Sequence, residues 1–395
     1  MRVEEWAVHP KHIWLHGRRP EQLVDYDESL QMWNVYGYPE AVDILTRPKT
    51  YSNDAGRLDP VELPPDICAG DFSQLDPPEH RKVRGLVDFA FTPNLVAGLE
   101  GRVDALVHEL LDELCGRDAF DLVADFATPL PLTVICELLG VPREDRAIIH
   151  DWSRRMVDDT DDFEPPEVIA EQTHELQRAF DMLREMREYW EGLAAERRRS
   201  PRDDLLSHLV QVEHEGDRLS DLEVFNIANR LVVNGHHTTS MLIGNTMLIL
   251  DAFPEQRERV RADRSLVPPM IEESLRFLSP ISTVGKVTNE DVVVAGTAIP
   301  KDQLVMVWTG AANRDERAFD RPHEFDLTRA PNPHLGFGRG IHFCVGRRLA
   351  RLEARSAVNI LLDRLPGLRA DPANPPSFFQ IADAGGLDGF PVLVK

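Results

Sequence analysis

Apolar residues recur along this chain mostly at helical spacing, and strict alternation is confined to short runs. The helical period predicts helices over HRKVRGLVDFAF (80–91), NLVAGLEGRVDALVHELLDELC (94–115) and PLPLTVICELLG (129–140). The longest helix runs from Ser220 to Leu250. Ser220 with Glu223 forms a capping box there, and the residues that follow are apolar nearly all round, so it is a central helix. PPMIEESLRFLSP predicts a helix ended by Pro280, and KVTNEDVVVAGTAIPKDQLVMVW alternates like paired strands turning through Gly296 and Pro300. From Cys344 onward, CVGRRLARLEARSAVNILLDRL is an amphipathic helix. The fold class is therefore mainly α with a small β-rich lobe, one or two of its strands lying near the N-terminus.

Two polar interruptions change this picture. YSNDAGRLDPVELPPDICAGDFSQLDPPE (51–79) is long for an unstructured loop in a compact domain, and such loops commonly act as lids. DDTDDFEPP breaks a second helical stretch. Within the central helix, Asn234, Gly235, His236, His237, Thr238, Thr239 and Ser240 form a polar knot. Buried polar groups need partners, and hydroxyls with a glycine there could bend the helix.

At 395 residues, with 42% hydrophobic and 28% charged residues, the chain has the composition of a globular protein. No apolar run reaches the ~20 residues of a membrane span, and the N-terminus lacks a signal-peptide pattern, which points to the cytoplasm. A net charge of -23 argues against nucleic acid as a partner. Cys68, Cys115, Cys136 and Cys344 are too scattered for a disulfide framework, and the first three are expected to be buried thiols. Against the overall sign, Arg339, Arg347, Arg348, Arg351 and Arg355 gather near Cys344, as a solvated face or a docking face.

Cys344 opens a helix behind a glycine-rich loop, where amides and positive charge favour the thiolate. A nucleophile would need a base within reach. A metal ligand fits better, because glycines let the backbone approach a flat cofactor.

The string FGRGIHFCVG resembles the haem-binding loop FGxGxHxCxG of the cytochrome P-450 superfamily, matching Phe337, Gly338, Gly340, His342, Cys344 and Gly346. Glu273 and Arg276 match the family's ExxR pair. FDRPHEFDLTR, around Arg321 to Phe325, looks like the segment completing that buried network, with Arg321 as its structural member. The helix carrying His80 and Arg84 resembles the one that holds the haem propionates. The resemblance spans residues 1–395 as one domain, its β-rich parts near 1–60 and 280–330, with haem b (iron protoporphyrin IX) between the central helix and the cysteine-loop helix. It implies Cys344 as the metal ligand. His80, Arg84, His342, Phe337 and Gly338 are implied as cofactor contacts. Lys286 stands where the family usually offers an arginine, and it lacks the bidentate fork.

The central helix departs from the family's [AG]-G-x-[DE]-T. Asn234 replaces a small residue and His237 the acid, while Thr238 is kept. His237 could relay protons in the acid's place, could mark a reaction with rerouted proton delivery, or could hydrogen-bond a neighbouring helix. The resemblance places pocket walls at Ile67 to Phe72, at Val233 and Asn234, at Ile281, Ser282 and Val284, and at Ile381 to Ala384. It implies a monooxygenase that oxidises a small, mostly apolar, natural-product-like molecule with electrons from a ferredoxin and ferredoxin reductase. Oxidative coupling or desaturation is the alternative, and a non-catalytic haem gas sensor is the rival of another class.

Overall fold

The computed structural model describes residues 2–58, 70–158, 173–214 and 217–394. Its axis is the helix Asp221–Ala252, roughly 48 Å long at the rise of an α-helix. The Ser220 hydroxyl accepts from the Glu223 amide, and the Glu223 carboxylate accepts from the Ser220 amide at 2.7 Å, so the capping box forms as expected. From Val224 to Leu250 only Arg230, Val233, Asn234, Gly235, His237 and Thr238 escape full burial. Helices Pro129–Leu139, Thr173–Arg199 and Arg347–Arg364 pack around this axis. The polar knot does not break the helix. The hydroxyls of Thr238 and Thr239 donate to the carbonyls of Asn234 (2.8 Å) and Gly235 (3.0 Å), four residues back, and so need no partner elsewhere.

The β-rich lobe is a five-stranded sheet in the order Val24–Asp27, Met32–Val35, Leu304–Val307, Val284–Thr288, Tyr51–Ser52. Leu304–Val307 runs parallel to Met32–Val35, and the other pairs are antiparallel. The sheet joins the N-terminal strands to Val284–Thr288 and Leu304–Val307, while Val292–Val294 and Thr297–Ile299 form a separate antiparallel pair about Gly296, the turn that the alternation implied. Two further β units near the C-terminus had no periodic signal. One joins Ala119–Asp121, Pro391–Leu393 and Arg369–Ala370, and the other is the pair Ser377–Phe378 with Leu387–Gly389. Asn245, buried on the central helix, stitches this region down: its amide donates to Leu278 and Gly385 carbonyls, each at 3.0 Å.

A buried charge network fixes how the helical body meets the segment that leads to Cys344. Glu273 and Arg276, on helix Val267–Phe277, form a bidentate pair at 2.7 and 2.8 Å with side chains 1% and 0% exposed. Arg276 also donates to the carbonyls of Asn313 (3.0 Å), Pro322 (2.7 Å) and Glu324 (2.9 Å). The second guanidinium on Glu273 is that of Arg329, with Nε at 3.1 Å from both carboxylate oxygens. Asn332 and the Asp326 amide complete the shell.

Arg321 is not a member of this network. Its side chain is 56% exposed and pairs with Glu324 at 2.6 Å and more loosely with Asp320 and Asp326. The segment around it contributes carbonyls, while the arginine that turns inward lies eight residues on. Cys115 is likewise exposed, not buried, whereas Cys136 is enclosed and burial pushes its thiol up to about 12. Cys68 lies outside the described residues.

Arg329→Ala leaves Glu273 short of a partner in the interior and should cost about 3–5 kcal/mol in urea unfolding. Arg321→Ala should stay within about 0.5 kcal/mol of the parent.

Candidate active site

The loop before helix Arg347–Arg364 is shaped by two left-handed glycines, Gly338 (φ +67°) and Gly340 (φ +76°). At Gly340 a side chain is also excluded by contact, because a Cβ there would run into the carbonyl of Leu45. The Gly338 amide donates to Leu335 O at 2.8 Å and the Cys344 amide to Phe337 O at 3.0 Å, closing the loop on itself. Arg347 donates to Cys344 O at 2.8 Å, and Arg84 reaches across to Phe343 O at 2.7 Å. Burial pushes the Cys344 thiol up. The amides of Gly346 and Arg347 and the charges of Arg84 and Arg347 oppose this, and all of them favour the thiolate. The Phe337 ring lies under the Arg351 guanidinium at 4.5 Å.

Beside the loop, basic side chains from three elements converge. His80 and Arg84 share one face of helix Glu79–Asp88, four residues apart. The His80 and His342 rings stand 4.3 Å apart, and Lys286 comes in from the β-rich lobe. Both ring nitrogens of His80 and Nε2 of His342 are buried without a partner among the described residues. Burial, helped by Lys286, His80 and Arg84, pushes His342 down to about 3. Burial also pushes Lys286 down to about 8, although Asp76 opposes it. Lys286 is held by the side-chain oxygen of Asn53. Unpartnered imidazole nitrogens beside the cations Arg84 and Lys286 suit a ligand with two carboxylates, and the propionates of a haem meet that requirement. The donor set and the thiol loop fit the group on chemistry alone.

The sequence model of the cytochrome P450 family matches residues 24–368. The chain belongs to the cytochrome P450 family. Cyclomarin C epoxidase CymV of Salinispora arenicola is 38% identical over 354 residues, covering 89% of this chain and 88% of that protein. The 6-deoxyerythronolide B hydroxylase of Saccharopolyspora erythraea is 37% identical over 85% of this chain and 83% of its own. Among solved structures, a monooxygenase described as unusual, cytochrome P450-like and involved in microbial secondary metabolism superposes with a TM-score of 0.95. It is 59% identical and covers 98% of this chain and 100% of its own. HmtN, a post-tailoring hydroxylase of himastatin biosynthesis, gives 0.88 at 48% identity, covering 100% and 99%. This P450 is thus a monooxygenase with a haem-thiolate cofactor, of a kind that takes small-molecule substrates and redox partners.

On the P450 central helix Asn234 is exposed and Thr238 half-buried, with Val233 half-buried beside them. Of the three readings of His237, the structure shows the hydrogen bond to a neighbouring helix. Its Nε2 lies 3.0 Å from the carbonyl oxygen of Ser153 on helix Arg146–Asp158, so this nitrogen must carry the proton and donate it there. The ring is tied to the neighbouring helix because a carbonyl with a free lone pair is within reach, and nothing in the local sequence signals Ser153. His236, fully buried one residue earlier, donates from Nδ1 to Val232 O at 3.2 Å, and burial drives its pKa well below the ordinary value.

The other proposed walls meet through backbone pairing. Ile281 bridges Ala384, and the Ser282 amide donates to Asp383 O at 2.7 Å, which brings the 281–284 stretch beside Ile381. Ser282 itself is buried, while Ile281, Val284 and Ile381 are half-buried. Phe72 is buried, and Ile67 lies outside the described residues. An ion pair that sequence reasoning missed joins Asp71 to Arg230 on the central helix at 2.6 Å. The arginine cluster is largely spoken for internally. Arg347 stacks on Phe343, Arg351 grips Glu272 at 2.6 and 2.7 Å, and Arg355 pairs with Glu100. Arg339 and Arg348 are its exposed members.

Cys344→Ser should abolish the red-shifted Soret band of the reduced carbon-monoxide complex while far-ultraviolet circular dichroism is unchanged. Glu272 generates a pH dependence. Burial would raise its pKa, but Arg351 and His334 outweigh burial and hold it at about 2 against an ordinary 4.5. A depressed acid stabilises the fold fully above its unfolded pKa. That contribution should fade as pH falls from about 4.5 toward 2, and denaturation profiles of Glu272→Gln should lack this slope.

Proposed function

We propose that this P450 binds haem b through Cys344 and inserts one oxygen atom into a small, mostly apolar, natural-product-like substrate, using electrons from a ferredoxin and its reductase. The observation that carries the reading is the cluster of His80, Arg84, His342 and Lys286, with its unpartnered buried nitrogens, set beside the glycine-shaped cysteine loop. Thiolate-ligated haem supplies dioxygen activation when bound. The chain's own residues do the rest. Arg84, His80, His342 and Lys286 hold the carboxylates of the group, while Arg84 and Arg347 secure the carbonyls on either side of the Cys344 amide. Thr238 offers a hydroxyl at the cleft, and Val233, Ile281, Val284 and Ile381 make the apolar walls that exclude water. Residues 1–395 act as one domain, working in the reducing cytoplasm.

For the redox partner, Arg348 and Arg339 are exposed positive charges flanking the cysteine loop of an acidic protein, and they suit an acidic ferredoxin. The named hydroxylases and epoxidase among the relatives support oxygen insertion. One observation favours a second reading, oxidative coupling or desaturation: His237, at the acid's position, spends its Nε2 proton on Ser153 and is not aimed at the cleft.

The test is turnover with ferredoxin, reductase and a nicotinamide cofactor on a metabolite library under isotopically labelled dioxygen, read by mass spectrometry. A product with one labelled oxygen is expected. A product short of two hydrogens and without label would replace the first reading by the second.

A further inference from the structure

The central helix carries a polar stripe of which the haem-thiolate reading uses only Thr238. Arg230, Asn234 and Thr238 follow one another at intervals of four, on one face of the helix. They belong to the six residues between Val224 and Leu250 that are not buried. The Asn234 carboxamide makes no hydrogen bond to a described residue, and the Thr238 hydroxyl reaches only its backbone carbonyl. Arg230 is held from one side by Asp71, at 2.6 Å from Nη2, with its side chain 29% exposed against 2% for Asp71. Asp71 is itself fastened by the amide and hydroxyl of Ser73, at 3.0 and 2.5 Å. The guanidinium is therefore positioned, its charge is balanced, and among the described residues it has N–H donors left over.

We propose that Arg230 and Asn234 determine specificity by donating hydrogen bonds to neutral carbonyl groups of an elongated substrate. This rests on the haem-thiolate reading above, which puts the oxidised carbon near Thr238. At a rise of 1.5 Å per residue, Asn234 stands roughly 6 Å and Arg230 roughly 12 Å along the axis from Thr238. The substrate class is then a molecule with amide, ester or lactone carbonyls at about those two distances from the carbon that reacts. A compact hydrocarbon would strip water from both side chains and return no partner, which disfavours it. An anionic group gains little, because Asp71 already neutralises Arg230 and lies beside it.

The test uses the intact holoprotein and N-alkylimidazoles, whose free ring nitrogen binds haem iron and shifts the Soret band. Tails of two lengths, reaching about 6 and 12 Å, end in methyl, carboxamide or carboxylate. The carboxamide probes should bind about tenfold more tightly than the methyl probes at both lengths, as expected for one hydrogen bond to a positioned donor. Asn234→Leu should remove the advantage at the short length alone. Arg230→Met should remove it at the long length alone.

Equal affinities for methyl and carboxamide tails in the parent protein would overturn the proposal, as would an advantage that survives both substitutions. A stronger gain for the carboxylate tail would overturn the neutral-acceptor assignment. If plain imidazole produced no Soret shift, the haem-thiolate reading itself would fall, and this one with it. Because Asn234 is exposed and bonds nothing through its side chain, its variant reports on recognition even if Arg230→Met perturbs the fold.

Discussion

Three ionised side chains share one dry site in this protein, and the position of the metal-binding loop depends on them. Removing Glu273, Arg276 and Arg329 from water is costly, and the cost is recovered only because every donor and acceptor is met at short range. The partners come from Asn313, Pro322, Glu324, Asp326 and Asn332, spread along the irregular segment that leads to Cys344. Asn313 passes the order on, since its side-chain oxygen accepts from the Leu335 amide at 2.8 Å, two residues before Phe337. A segment with almost no regular structure is thereby given a single path, and its last turn delivers the thiol.

The unburied stretch of the central helix follows from a second economy. The central helix is enclosed on nearly every side, and its hydroxyls bond to its own carbonyls, so six residues alone escape burial along most of its length. Helix Arg146–Asp158 is joined to it through Ser153, which receives His237 and lies 3.3 Å from His236. The two histidines thus tie the helices together through Ser153. The face that remains offers a threonine, an amide and a balanced guanidinium, an unusual set for a wall against apolar material.

How much of this could be read from the residues follows from how local each signal is. The cysteine loop, the capping box and the Glu273–Arg276 pair are written within ten residues or fewer, and each was legible. His80 and Arg84 are set by helical spacing, and their convergence with His342 and Lys286 came only through the resemblance. Arg329 was missed because the choice between it and Arg321 is made by how an aperiodic loop turns, with Arg321 left at φ +45° on the surface. The direction of His237 depends on a backbone carbonyl 84 residues away, which no side-chain pattern announces. The bridge of Ile281 to Ala384 and the two short C-terminal β units are long-range pairings of a few residues, too brief to leave an alternation.

The contact between Gly340 and the Leu45 carbonyl joins two parts of the chain that are otherwise far apart in sequence. Leu45 lies in the last turn of the helix Tyr38–Thr46, which packs on the sheet of the β-rich lobe. The thiol is thus seated on that lobe from one side and anchored to the helical body through Arg347–Arg364 from the other. A partner protein pressing on Arg348 and Phe343 would load both supports at once. A side chain at Gly340 would drive the two supports apart, so this one glycine sets how closely the cysteine loop can sit against the β-rich lobe.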